Sequence, residues 1–286
     1  FVVSYLSAGM FWLNQKDRGE IMVFRRKSAR EAEWAALKKQ EDRFLQNTGK
    51  DRQPFINRQL ERFVPDKLSS ALDLAFFKAF ELVFEKGTGA IEKTCHKENR
   101  ELAYKVNAYA VGLKENRKNL KAFSKHAGNS KAFNLLVSGA GGMGLGVLGI
   151  GLPDIPLFTG MILKAIYELA LSYGFTYDTA GEQCFILRLI RIPFLSGQER
   201  VMADEGLNRM ITESVSLSPD QAFAGLNKKE EIRLTAEALS HELLYMKFLQ
   251  GIPIAGVIGG MYDAVYMKKI TDYAEMKYKR RFLEGI

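Results

Sequence analysis

Apolar residues recur at helical spacing along most of the chain. Between Ser28 and Gln46 a stripe of Trp34, Leu37, Phe44 and Leu45 runs among charged positions. Asn47-Thr48-Gly49-Lys50 and Pro54 interrupt it. Pro65-Asp66 then opens an amphipathic stretch from Lys67 to Phe84, with Leu68, Leu72, Ala75, Phe76, Ala79, Phe80 and Val83 in step. Further helices are predicted over Thr88 to Cys95 and Asn99 to Leu113. Leu157 to Tyr173 reads as a strong apolar helix, with Pro156 in the first turn, where proline is tolerated, and Gly174 as the stop. Thr176 to Arg191 reads as another, closed before Pro193. A piece from Ser196 to Met202 and a short stretch ending at Ser218-Pro219-Asp220 follow, and Asn227 is placed to cap a helix from Lys228 to Phe248. Short β-branched alternating runs joined by hairpin turns are not evident, so the pattern predicts an all-α protein.

The run from Val137 to Tyr177 departs from ordinary helical composition. Gly139, Gly141, Gly142, Gly144, Gly146, Gly149 and Gly151 interleave with apolar residues. Glycine costs roughly 1 kcal/mol per helix position relative to alanine, so their density implies backbones that approach closely. A second glycine segment, Leu249 to Gly260, repeats the plan of Leu148 to Gly160: glycine-apolar residues, a proline, then an apolar helix. Gly142 with Gly146, and Gly256 with Gly260, are small residues four apart, the spacing that lets two helices touch. A compact multi-helix domain over 61–286 is expected, with these two segments packed centrally as a pseudo-repeat. Possible halves are 61–195 and 196–286, and residues 1–60 form an N-terminal helical extension.

Composition narrows the partners. The chain has 286 residues, 41 Lys and Arg against 33 Asp and Glu, and a formal charge of +8, which favours anionic partners. Arg25, Arg26, Lys27 and Arg30 cluster near one end; Lys277, Lys279, Arg280 and Arg281 crowd the other. A solvated helix face is the ordinary reading of each cluster, and contact with anionic lipid headgroups is the sharper one. Tyr262, Tyr266, Tyr273 and Tyr278 lie among the second set. Asp272, Glu275 and Glu284 are mixed in with them, which argues against nucleic acid. Ala132 to Pro153 carries no charged residue and is long enough to cross a bilayer, although its glycines and Pro153 suit a soluble core hairpin equally well. The apolar run from Phe1 to Trp12 is shorter than the roughly 20 residues a span needs, and it lacks the marks of a signal peptide. Met22 is a candidate natural start. Cys95 and Cys184, far apart and without metal-ligand spacing, read as packed thiols.

Three motifs in this chain bear a familiar stamp. LPDIP before an apolar helix, then ELALSYGF, then FLQGIPIAGVIGGMYDAVYMKKITDYAEMKYKRRFL, resemble the EcsC protein family in that order. ALDLAFFKAFELVFEKGTGAIEKT is similar to the family's first amphipathic helices. The likeness runs from Pro65 to Leu283, with Asp263 a departure where an Asn-like residue is expected. It implies a bacterial helical protein, cytoplasmic or peripheral on the inner face of the cell membrane. The family is named for a gene beside an ABC exporter operon and has no firmly established activity, so no catalytic residue carries over.

The chemistry the residues offer is sparse. Gly139-Ala140-Gly141-Gly142-Met143-Gly144 spells the dinucleotide fingerprint, but Pro153 cuts the following helix short and no βαβ alternation surrounds it. His241-Glu242 begins like a zinc-protease helix, yet Tyr245 stands where the second histidine must be. Asp154 is placed to cap the next helix; the alternative is a buried carboxylate paired with Lys164, Arg188 or a ligand cation. Glu168 follows Lys164 by four residues, a plain helical ion pair. The expected function is therefore a non-enzymatic, membrane-associated accessory or binding protein, contacting anionic lipid or a transporter. Gly142, Gly146, Asp154, Phe158, Gly256 and Gly260 are its candidate lipid or partner contacts, and Arg25, Arg26, Lys27, Lys277, Lys279, Arg280 and Arg281 its candidate contacts with an anionic surface. No metal or cofactor is expected. The alternative is a hydrolase using carboxylates such as Asp154 with Glu168 or Asp178.

Overall fold

The computed structural model describes residues 13–16, 20–23, 28–46, 66–87, 101, 104–105, 108, 154–217, 219–223, 225–250 and 259–285. The fold they build is all-α, apart from one small antiparallel hairpin. Strands β1 (Leu13–Lys16) and β2 (Glu20–Val23) pair Leu13 with Val23 and Lys16 with Glu20. The sequence pattern anticipates no hairpin here. Its signal is slight: Asp17-Arg18-Gly19 is a short glycine-ending connection and EIMV carries Ile21 and Val23, but LNQK has no β-branched residue.

Helix α1 (Ala29–Gln46) starts with a reciprocal cap. The Ser28 N–H donates to Glu31 Oε2 at 2.7 Å and the Glu31 N–H donates to Ser28 Oγ at 3.1 Å. Helix α2 (Asp66–Leu82) buries Leu72, Ala75, Phe76, Ala79 and Phe80 along one stripe, then loosens into a π-turn at Val83–Gly87. Helix α3 (Asp154–Ser172) is apolar on nearly every side, burying Ile155, Phe158, Ile162, Leu163, Ile166, Tyr167 and Leu169. It packs against α2 and the last helix, at the centre of the core. It ends where the sequence predicts. Gly174 has φ +82°, its N–H donates to Leu171 O at 3.0 Å, and the Phe175 N–H donates to Ala170 O at 2.9 Å, a Schellman stop that needs the left-handed residue.

Helix α4 (Ala180–Arg191) is capped by Thr179, whose Oγ1 accepts from the Glu182 N–H at 3.3 Å, and runs into a 3₁₀ turn at Ile192–Phe194. Helix α5 (Gly197–Ser216) is one unbroken element, where the pattern anticipates a short piece and a separate stretch. After the short α6 (Pro219–Ala222), Asn227 caps α7 (Lys228–Gln250) as predicted: its Oδ1 accepts from the Lys229 and Glu230 N–H groups at 3.0 and 3.3 Å. Helix α8 (Gly259–Gly285) closes the described chain. Helix α7 lies on α2 and α4, while α8 contacts α1, α3, α4 and α5. Among the described residues no helix is long and apolar enough to cross a membrane. The glycine segment 139–151, and the packing of Gly142, Gly146 and Gly256, lie outside the described residues.

Candidate functional site

Most of the second half of α8 is buried. Tyr273, Ala274, Met276, Lys277, Tyr278, Arg281, Phe282 and Leu283 are all inside, although the segment is among the most basic in the chain. An ion taken out of water incurs several kcal/mol even after relaxation, so such a helix can be buried only if each charge meets a partner. The partners come from three other helices.

Lys277 has no exposed surface. Its Nζ lies 2.9 Å from Glu41 Oε1 on α1, 2.8 Å from Asp204 Oδ1 and 2.8 Å from Asn208 Oδ1 on α5. Asp204 in turn accepts from the Tyr273 hydroxyl at 2.7 Å and from Asn208 Nδ2 at 2.9 Å. Burial, followed by the Asp204 carboxylate, pushes the Tyr273 phenol well above its usual range and keeps it a neutral donor. One turn on, Arg280 Nη1 reaches Glu41 Oε2 at 2.8 Å and its Nε reaches Glu284 at 2.9 Å, while its guanidinium lies over Trp34. Lys279 meets Glu33 at 2.8 Å.

Arg281 faces α4. Its two terminal nitrogens bind both oxygens of Glu182 at 2.9 and 2.6 Å, with side-chain exposures of 4% and 1%. Its guanidinium lies 4.2 Å from the Phe175 ring centre, 5.1 Å from that of Phe185 and 5.9 Å from that of Phe223. A separate pair of bases, Arg188 and Arg191, converges on Glu231 of α7 at 2.6 and 3.5 Å. Beside them Cys184 is buried. Desolvation, with a contribution from Glu231, raises its thiol to about 11, which keeps it protonated, as expected for a packed thiol.

This arrangement corrects the expected role of the C-terminal bases. Lys277 and Arg281 are buried, and Lys279 and Arg280 are largely covered, all four in ion pairs within the fold. They are not a free surface for an anionic membrane, because each charge is already matched at hydrogen-bond distance. Phe158 is likewise a core residue. Asp154 is the first residue of α3, where a cap is expected, and Gly260 lies in the first turn of α8. Arg25, Arg26, Lys27, Gly142, Gly146 and Gly256 lie outside the described residues. The structure does not bring Asp154 and Glu168 together. Fourteen residues of continuous helix separate them, about 21 Å at 1.5 Å per residue. Asp178 is exposed. Among the described residues no group of three or more His, Cys, Asp or Glu side chains could hold a metal ion.

Sequence reasoning missed the acidic partners Glu33, Glu41, Asp204, Glu182 and Glu231. A signal existed for some. Glu33, Leu37 and Glu41 fall at i, i+4 and i+8, so a helix that buries Leu37 carries both carboxylates inward. Arg200, Asp204, Leu207 and Ile211 form a similar half-charged stripe on α5.

Neither a curated protein nor a solved structure matches the chain. The model of the EcsC protein family matches residues 27–283, from just before α1 almost to the end of α8. With nearly all of its length matched, this chain belongs to the EcsC protein family.

Proposed function

We propose that this chain is a non-enzymatic binding module that works at an anionic membrane surface, on the cytoplasmic face, as an accessory to lipid or to a membrane transporter. The observation that carries the reading is the run from Ala132 to Pro153, which has no charged residue and leads directly into α3. In a chain with 26% charged residues, a run of that length without one gives the protein an apolar segment that an interface can accept without desolvating an ion. Attraction to the surface comes from the other end. Arg25, Arg26 and Lys27 precede α1, whose outward face exposes Lys38, Lys39 and Arg43. Each base close to an anionic leaflet contributes about 1 kcal/mol, and the attraction weakens as salt shortens its reach. The separation of Asp154 from Glu168 along α3 speaks against that one pairing for the hydrolase alternative.

Vesicle flotation tests the proposal. The full chain is expected to float with phosphatidylglycerol vesicles at low salt, to stay down with phosphatidylcholine vesicles, and to be only partly released at high salt. Protein that stays at the bottom of the low-salt acidic gradient rules the membrane reading out.

A further inference from the structure

Helix α1 is held by an unusual seat. Its buried residues are Glu33, Leu37 and Glu41, one leucine between two carboxylates; beside them Trp34 and Phe44 pack part-buried on the core, with the Phe44 ring 4.7 Å from that of Tyr273, and Arg30 donates to Leu283 O at 2.8 Å. The seat beneath is the basic edge of α8, where Glu33 meets Lys279 and Glu41 bridges Lys277 and Arg280, all at 2.8 to 2.9 Å. By contrast, α2 is held by a continuous stripe of leucine, alanine and phenylalanine. We infer that α1 is a displaceable acidic cover over a basic strip of α8, and that anionic lipid headgroups displace it by taking the places of Glu33 and Glu41. The inference rests on the membrane reading and names the strip that the headgroups would occupy.

Three observations support it. First, the bases beneath do not depend equally on α1. Lys277 would keep Asp204 and Asn208, both on α5, whereas Lys279 would lose Glu33 and Arg280 would keep only Glu284. Removing α1 therefore frees positive charge without leaving the deepest base unpaired. Second, the chemistry is interchangeable. A carboxylate and a phosphate offer the same paired oxygens, and the arginine fork and lysine ammonium bind either. Third, an anionic surface acts on the two sides of the seat in opposite directions: it repels Glu33 and Glu41 and attracts Lys279 and Arg280. On α1 the exposed Lys38, Lys39 and Arg43 outnumber the exposed Glu31 and Asp42 and bring the surface close. The closed state ties Lys279 to Glu33 and Arg280 to Glu41, so headgroups meet these two bases released from α1 only in the open state, which is the differential affinity that a population shift requires.

The test uses the full chain with phosphatidylglycerol vesicles, reading flotation and amide hydrogen exchange together. Glu33→Gln with Glu41→Gln removes the charge of the cover while keeping its shape and one acceptor oxygen at each position. This variant is expected to partition about tenfold more strongly than the wild type, equivalent to about 1.4 kcal/mol. Adding Lys279→Gln and Arg280→Gln should abolish the gain. In the wild type, acidic vesicles should speed exchange in α1, and phosphatidylcholine vesicles should not. Circular dichroism checks that the variants fold. If the double variant melts early, Glu33→Gln alone, which touches only the partly exposed Lys279 pair, is read instead, with a smaller gain expected. A wild type that floats while the charge-neutral cover gains nothing, or whose α1 stays fully protected on the vesicles, overturns the cover and leaves the membrane reading standing. If the variant floats and the wild type does not, the membrane reading fails for the resting chain and the cover stands. If neither floats, both are overturned.

Discussion

Replacing Glu182 by glutamine tests how much of the fold depends on its buried charges. Glu182 and Arg281 are 1% and 4% exposed and joined by two short charge-assisted hydrogen bonds, at 2.6 and 2.9 Å. With an effective dielectric of about 20 and charge centres about 4 Å apart, their attraction is about 4 kcal/mol. The glutamine keeps one acceptor but leaves a full positive charge among Phe175, Phe185 and Phe223, whose faces offset only part of the lost hydration. Breaking one side of a buried pair typically costs about 3–5 kcal/mol, and that is the loss expected here. The helix cap survives, because Thr179 binds the backbone N–H of residue 182 and not its side chain. At about 2–4 °C per kcal/mol for a chain of this order of size, Tm should fall by about 6–20 °C. Glu182→Leu with Arg281→Met removes both charges and should recover most of the loss, since no unmatched ion is then left at this site. Urea unfolding followed by far-ultraviolet circular dichroism measures all three proteins. A loss under about 1 kcal/mol in Glu182→Gln, or a double variant as unstable as the single one, refutes the argument that an unmatched charge is what destabilises the core.

Gly174→Ala should lower stability by about 1–3 kcal/mol, because φ is +82° and an added Cβ would overlap the Tyr104 ring; an unchanged thermal melt contradicts that close approach. In a Cys95→Ser background, Cys184 should resist an aromatic disulfide reagent at neutral pH until denaturant is added, since burial raises the thiol to about 11; prompt labelling of the folded protein shows that the site is open.

The parts of the fold legible in the sequence are those fixed by local chemistry. The stop of α3 at Gly174 needs a residue that tolerates positive φ, and the start of α7 at Asn227 needs a short side-chain acceptor; both are visible in a few letters. The apolar stripe of α2 is visible for the same reason, since its periodicity is written in one residue class. Helix α5 was harder. Its inward stripe is Arg200, Asp204, Leu207 and Ile211, so half of the positions that face the core carry charge, and a reading that follows apolar residues breaks it into pieces. The end of α4 was clearer than its start, because Pro193 marks the exit while the true cap, Thr179, competes with Thr176 three residues earlier.

The buried bases of α8 were not legible, and the reason is general. A run such as Lys277 to Arg281 has one local meaning, a face that wants water, and nothing within the run says that carboxylates will reach it from elsewhere. Those carboxylates sit 73 to 246 residues away in sequence. Only the assembled fold reveals that Glu33, Glu41, Asp204 and Glu182 answer Lys277, Lys279, Arg280 and Arg281. With Glu284 on Arg280, five carboxylates answer four bases there, so this group adds nothing to the formal +8 of the chain. The whole excess must be carried by the remaining residues. In the proposed membrane reading, attraction to an anionic surface begins with bases outside this group, among them Arg25 to Lys27 in the sequence and the exposed Lys38, Lys39 and Arg43 of α1. Lys279 and Arg280 can join only after α1 has moved.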